Sequence, residues 1–320
     1  GVSLKALDKS EEAIAAFRQA EAGKPEPNLA RDIQFQWADT EFRAGQYTQA
    51  ASRFQTVVSR WPKHPANDQG LLFATEAVLL SAETITDPSA RLKRLGQAQA
   101  LVDRFTREFP KSSLATRHRL QVGRLKVARG GDDNLKAAVT LFRTAMAQGQ
   151  TEKLRNRARY QLARVASRLG NDRLVLDSLK PFLASIDDSN QPGEFDDALV
   201  LAASSFLAAK QHKPAADAAS KYLKKHPRGP LAADALVVLA ESSELQGRAS
   251  VSDLALTRLA NGFRNKPIYP QTVRRLAETA YAAKNYKRSE RLFGSLVALG
   301  PRSAFHAAGL SGQGWSLFES

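Results

Sequence analysis

The stretch Ala44-Gly45-Gln46-Tyr47-Thr48-Gln49-Ala50-Ala51-Ser52-Arg53-Phe54-Gln55-Thr56-Val57-Val58-Ser59-Arg60-Trp61-Pro62 carries the pattern that decides the fold. Counting from the small residue Ala50, Phe54 follows at +4, Val57 at +7 and Pro62 at +12. Offsets of 0, +4 and +7 lie on one face of an α-helix, so the stretch predicts an amphipathic helix. The small anchor lets another helix approach closely, and the bulky residue one turn later fills the space beside it. Proline ends the helix, because it lacks an amide donor and pushes the preceding residue toward extended backbone.

The same ruler recurs along the chain. It fits Ala13-Phe17-Ala20-Pro25, Ala98-Val102-Phe105-Pro110, Ala215-Ala219-Tyr222-Pro227, Ala255-Leu259-Gly262-Pro267 and Ser289-Phe293-Leu296-Pro301. Ala138-Phe142-Ala145 and Val175-Leu179-Phe182 keep the first three marks without the proline. Successive anchors stand 37, 48, 40, 37, 40, 40 and 34 residues apart. A second helix precedes each anchor. Its small residue is Ala38, Ala163, Ala203 or Ala277 at 12 residues upstream, and Gly123 or Ala240 at 15 upstream. Short turns such as Leu169-Gly170-Asn171-Asp172, Gln246-Gly247-Arg248 and Lys284-Asn285-Tyr286 join the two helices and force them antiparallel.

The unit of helix, tight turn, helix and breaker resembles the tetratricopeptide repeat (TPR), whose nominal period is 34 residues. The likeness is strongest over 31–63, 194–228 and 270–302. It implies an all-α fold, a right-handed TPR superhelix (α-solenoid) of about eight repeats forming a single domain over 1–320. The approximate repeats are 1–27 (partial), 29–63, 66–111, 113–149, 152–187, 194–228, 231–268, 270–302 and 304–320 (partial). In the third unit the 48-residue spacing and Thr86-Asp87-Pro88-Ser89 predict an inserted loop or a broken helix, and Gly130-Gly131-Asp132-Asp133 a shorter insertion. Gly1 and Gly314 occupy the small-residue slot of first helices, so each end reads as half a repeat cut from a longer protein. Helix ends such as Arg60-Trp61-Pro62-Lys63-His64-Pro65 and Phe109-Pro110-Lys111-Ser112 resemble those of bacterial cell-envelope TPR proteins of the outer-membrane-assembly lipoprotein and Tol–Pal coordinator type. That likeness implies a periplasmic or envelope location, with a cytoplasmic scaffold as the competitor.

With 320 residues and no cysteine, the chain has no disulfide framework, thiolate metal site or thiol nucleophile. No apolar run is long enough to span a membrane. The five histidines lack metal-ligand spacing, and His64 and His226, each beside a helix-ending proline, read as solvent-exposed. Gly309-Leu310-Ser311-Gly312-Gln313-Gly314 fails as a nucleophile elbow or phosphate cradle, because no strand precedes it. Asp132-Asp133, Asp187-Asp188 and Asp196-Asp197 read as acids in turns or at helix starts. No catalytic, cofactor-binding or metal-binding residue is expected. The remaining enzymatic alternative is that this is the regulatory TPR region of a larger enzyme with its catalytic domain outside the chain.

The net charge of +15 is concentrated. Residues 89–173 carry 20 basic and 6 acidic groups, against 9 and 12 in residues 1–88. The TPR likeness implies a concave groove lined by the first helices. Its slots hold Arg117, Leu120 and Arg124 in the fourth unit and Arg157, Tyr160, Arg164 and Arg168 in the fifth. The second unit offers Asp32, Phe35, Asp39, Phe42 and Arg43, the seventh Asp234, Glu241 and Glu244, and the eighth Arg274, Glu278 and Tyr281. Arg117, Arg124, Arg157, Tyr160, Arg164 and Arg168 are the expected binding residues for an acidic protein or peptide segment, since guanidinium pairs bidentately with carboxylate. A Lys/Asn clamp for a peptide's terminal carboxylate is absent, because Asp39, Arg164, Ser204 and Glu278 stand where asparagine is required. Nucleic acid is the rival polyanion for the basic block 89–173, but no stacking platform or recognition helix accompanies it.

Overall fold

The computed structural model describes Val2, residues 9–183, Ile186 and residues 193–320. Among the described residues there are sixteen helices and no strand. They are α1 (Ser10–Ala22), α2 (Pro27–Arg43), α3 (Tyr47–Arg60), α4 (Asn67–Glu83), α5 (Pro88–Glu108), α6 (Ala115–Arg129), α7 (Asp132–Gln148) and α8 (Glu152–Arg168), followed by α9 (Asp172–Leu183), α10 (Asp197–Ala208), α11 (His212–Lys225), α12 (Ala232–Leu245), α13 (Ala249–Phe263), α14 (Ile268–Ala282), α15 (Tyr286–Val297) and α16 (His306–Glu319). The chain divides into two compact units, Gly1–Val165 and Ala166–Ser320, with the division inside α8. Each unit is a stack of helices packed mainly on their neighbours in sequence, the organisation of an α-solenoid.

The ruler marks the buried face of the second helices. Ala50, Phe54 and Val57 are fully buried, as are Ala138, Phe142 and Ala145, and Ala215, Ala219 and Tyr222. Ala20 and Gly262 are exposed exceptions at +7. Phe182 at that mark, together with Gly1 and Asp187-Asp188, lies outside the described residues or side chains. The small slots Ala38, Gly123, Ala163, Ala203, Ala240 and Ala277 are equally buried, whereas Gly314 is exposed, and Gly123 gives the reason for their size. A Cβ there would stand 2.4 Å from the Phe142 ring, so only glycine admits the ring.

The turns inside five pairs share one solution. Gly45, Gly170, Lys210, Gly247 and Lys284 all have φ between 58 and 76°. The amide after each one bonds back five residues, as in Gln46 N to Glu41 O (2.8 Å) and Asn285 N to Ala280 O (2.9 Å). This is the Schellman closure that satisfies the last carbonyls of a helix. Two of the five left-handed positions are lysines, so the turn does not require glycine.

In the first unit, α4 buries Leu71, Ala74, Ala77 and Val78 completely, in a cluster shared with α2, α3, α5 and Leu125 of α6. The expected loop or break at Thr86-Asp87-Pro88-Ser89 is instead a helix start. Asp87 Oδ2 accepts from Ala90 N at 2.6 Å, and Pro88 takes the first helical position, where its missing amide costs nothing. Longer helices absorb the extra residues: α4 has 17 and α5 has 21, against 14 in α3. Gly130 and Gly131, at φ 70° and 79°, form the α6–α7 turn.

In the second unit one core runs from Leu199 through Tyr222, Leu236, Leu259 and Leu276 to Leu296. Gly309 and Gly312 bring α16 close to α15: a Cβ on Gly309 would lie 2.9 Å from Val297 N, and one on Gly312 2.5 Å from the Phe293 ring. The glycine-rich run is therefore a helix-packing device. Ser316, fully buried, donates to Ser289 Oγ (2.9 Å), which donates to Ala277 O (3.0 Å).

Candidate functional site: the arginine faces of α6 and α8

The expected binding residues have unequal surroundings. Arg117 is exposed near the start of α6. Arg124, two turns on, has a side chain only 22% exposed, held by Glu76 and by Glu83 (3.2 Å), both on α4. Burial alone would lower its pKa, but the two carboxylates outweigh burial and leave it raised. Gln121 joins the same contact by donating to Leu72 O (2.8 Å) and Glu76 (3.3 Å). Leu120 is buried.

On α8, Arg157 and Arg164 are exposed and Tyr160 is half-buried. The Arg164 guanidinium carbon sits 5.7 Å from the Tyr160 ring centroid, within cation–π range. Among the described residues no carboxylate pairs with Arg164 or Arg117. Arg168 is exposed on the part of α8 that belongs to the second unit. Arg155 and Arg159, elsewhere on α8, are tied to Glu152 at 2.6 Å each and hold its carboxyl below the usual range through hydrogen bonds. The structure thus groups Arg157, Tyr160 and Arg164 on one helix and commits Arg124 to α4.

The remaining groove slots are largely occupied within the chain. Asp39 pairs with Arg43 (3.1 Å), Arg274 with Glu278 (2.7 Å) and Glu241 with Arg275 (2.6 Å). Glu244 binds Arg288, which also reaches Asp253 at 3.1 Å. Phe35 and Phe42 pack edge-on against Phe73, with ring centroids 6.1 and 6.3 Å away.

One histidine departs from the sequence reading. His226 is not a solvated breaker residue. It stacks on Tyr222 at 5.0 Å, and its Nε2 lies 2.8 Å from Asp196 Oδ2. Asp196 is buried, accepts from Gly193 N (2.6 Å) and has Lys225 Nζ 3.7 Å away. This charged cluster fixes the start of α10 to the end of α11, a role invisible at a separation of 30 residues. His118 is buried, stacked on Phe105 at 4.2 Å, with its pKa lowered to about 4, first by burial and then by Arg119. Among the described residues no cluster of three or more His, Asp or Glu is placed to hold a metal ion, and no helix is long and apolar enough to cross a membrane.

Comparison with known proteins follows this geometry. Residues 32–64 and 197–228 match the tetratricopeptide repeat model. Each match spans one helix pair, α2–α3 and α10–α11. No curated protein sequence matches the chain. Among solved structures, PilW, described as a widely conserved type IV pilus biogenesis factor, is 18% identical with a TM-score of 0.55, covering 75% of this chain and 97% of its own. PilF of Pseudomonas aeruginosa is 11% identical with a TM-score of 0.58, covering 76% of this chain and 96% of its own. YrrB, described as a TPR protein with an unusual peptide-binding site, is 15% identical with a TM-score of 0.50, covering 68% of this chain and 96% of its own. At these identities the likeness is one of fold.

Proposed function

We propose that the chain is a non-catalytic TPR scaffold that binds an acidic segment of a partner protein through Arg157, Tyr160 and Arg164 of α8, with Arg117 of α6 contributing positive field. The observation that carries this reading is Arg164: an exposed guanidinium held over an aromatic ring, with no carboxylate partner among the described residues. The ring pre-orients the planar fork, so less rotamer freedom is lost when a carboxylate binds. Tyr160 adds apolar surface beside the charge. The net +14 of residues 89–173 favours encounter with an acidic chain. Helix ends of the Phe-Pro-Lys kind support a bacterial cell-envelope setting for this scaffold.

A labelled glutamate-rich peptide titrated into the protein tests the proposal, with a single-stranded oligonucleotide of equal charge as competitor. Saturable peptide binding is expected, weakened about tenfold in the Arg157→Glu/Arg164→Glu variant. Tighter binding of the oligonucleotide, with a steep salt dependence, would transfer the site to nucleic acid. Equal peptide binding by wild type and variant would refute it.

A further inference from the structure

Between α3 and α5, the second helices of adjacent pairs in the first unit, lies a cavity of about 690 Å³. Thr48, Ser52, Ser59 and Arg60 line it from α3, and Arg94 and Gln97 from α5. Among the described residues no carboxylate and no aliphatic or aromatic side chain lines it, and none of the α8 arginines takes part.

Arg94 sets the charge of this cleft. It is half-buried. Its Nε donates to Ser81 Oγ (2.6 Å) and its Nη1 to Gln97 Oε1 (2.7 Å), while Nη2 is buried without a partner. The Ser81 hydroxyl donates to Val78 O (2.8 Å), which leaves its lone pairs for Arg94 and holds the guanidinium in place. Both acceptors are neutral, and among the described residues no carboxylate pairs with Arg94. Arg124 and Arg288 show the contrary arrangement. Their carboxylates outweigh burial and raise the pKa, whereas burial lowers that of Arg94 with nothing to offset it. A partly buried cation without a counter-ion is costly, and an incoming anion relieves that cost.

The rest of the wall is rich in unused donors. The hydroxyls of Thr48, Ser52 and Ser59 have no partner among the described residues. Gln97 spends its oxygen on Arg94, so its amide nitrogen remains to donate. Arg60 brings a second guanidinium, 4.8 Å from the Trp61 ring centroid and paired with Glu21 at 3.3 Å. Gln55 and Thr56 spend donors on Ala51 O (3.1 Å) and Ser52 O (3.0 Å) and present oxygens to the same cleft.

We propose that the α3–α5 cleft binds a small sugar phosphate, with the phosphate on Arg94 and Arg60 and the sugar hydroxyls on the hydroxyl and amide side chains. A guanidinium fork matches two phosphate oxygens at once. The volume falls within the range of small-molecule sites, and the lack of apolar lining selects a polar body over a lipid tail. Mixed donors and acceptors suit hydroxyls, which need both.

The test titrates glucose 6-phosphate into the full chain by isothermal calorimetry. Saturable binding is expected, with inorganic phosphate competing and glucose alone giving no heat. Arg94→Gln should weaken it about tenfold. Ser52→Glu, which plants a carboxylate at an exposed position of the wall, should do the same at an unchanged melting midpoint, so that lost binding is not lost fold. Arg143→Gln removes an exposed charge of α7 from the same basic block and should leave binding as it was. Three results would overturn the proposal: no saturable binding, equal losses in Arg94→Gln and Arg143→Gln, which would reduce the effect to diffuse charge, or glucose binding as tightly as its phosphate ester.

Discussion

Helices α6 and α8 each carry an arginine one residue past a buried small residue, Arg124 after Gly123 and Arg164 after Ala163. In sequence the two are equivalent, and in the molecule they are not. Arg124 is drawn into Glu76 and Glu83 of α4, whereas Arg164 stays in solvent over Tyr160. The charge a helix contains is thus not the charge it offers. What decides is whether the preceding first helix presents a carboxylate at the facing position.

That contrast can be broken most forcefully at the inner face of α6. His118 is held neutral, with its pKa lowered to about 4 from the ordinary 6.5, because burial penalises the imidazolium. The unfolded chain takes up a proton near pH 6.5, and the folded chain does so only near 4. Stability from this group is therefore complete above about pH 6.5 and drains as pH falls through that window, by at most about 3 kcal/mol. Chemical denaturation at a series of pH values should show this slope, and His118→Phe should flatten it. An unchanged slope would detach α6 from the acid response. Next in size, Arg124→Ala leaves a partly buried Glu76 uncompensated and should cost about 1–3 kcal/mol in urea unfolding, while Arg164→Ala should stay within about 0.5 kcal/mol. Equal costs would erase the distinction between the helices. The smallest effect concerns the turns. Lys284→Gly, at φ 58°, removes a left-handed strain that Gly247 does not have, and should raise stability by about 0.5–1 kcal/mol.

The repeat was legible because its marks are local. Ala50, Phe54 and Val57 fall within two turns, and helix periodicity turns their spacing into a buried face without knowledge of the rest of the chain. The long third pair was misjudged, because Asp87-Pro88 reads equally well as a break or as a capped start. Only the hydrogen bond from Ala90 N distinguishes them. The proposed binding face was legible in part. Exposure of Arg117, Arg157 and Arg164 follows from helix phase, but the Arg124 pairings join residues 41 and 48 positions apart, and no local pattern reports them. His226 eluded the reading for the same reason, since its partner Asp196 precedes it by a whole helix pair. Acidic residues on the preceding first helix are the signal that would have exposed Arg124 as structural.

The most direct test of the account measures unfolding and binding side by side in Arg124→Gln and Arg164→Glu. A labelled glutamate-rich peptide supplies the binding readout and urea the stability readout. The account predicts a double dissociation: Arg164→Glu loses about tenfold in binding at unchanged stability, and Arg124→Gln loses stability at unchanged binding. If Arg124→Gln weakens the peptide as much as Arg164→Glu does, or if Arg164→Glu binds like the wild type, the division of labour between the two helices is wrong.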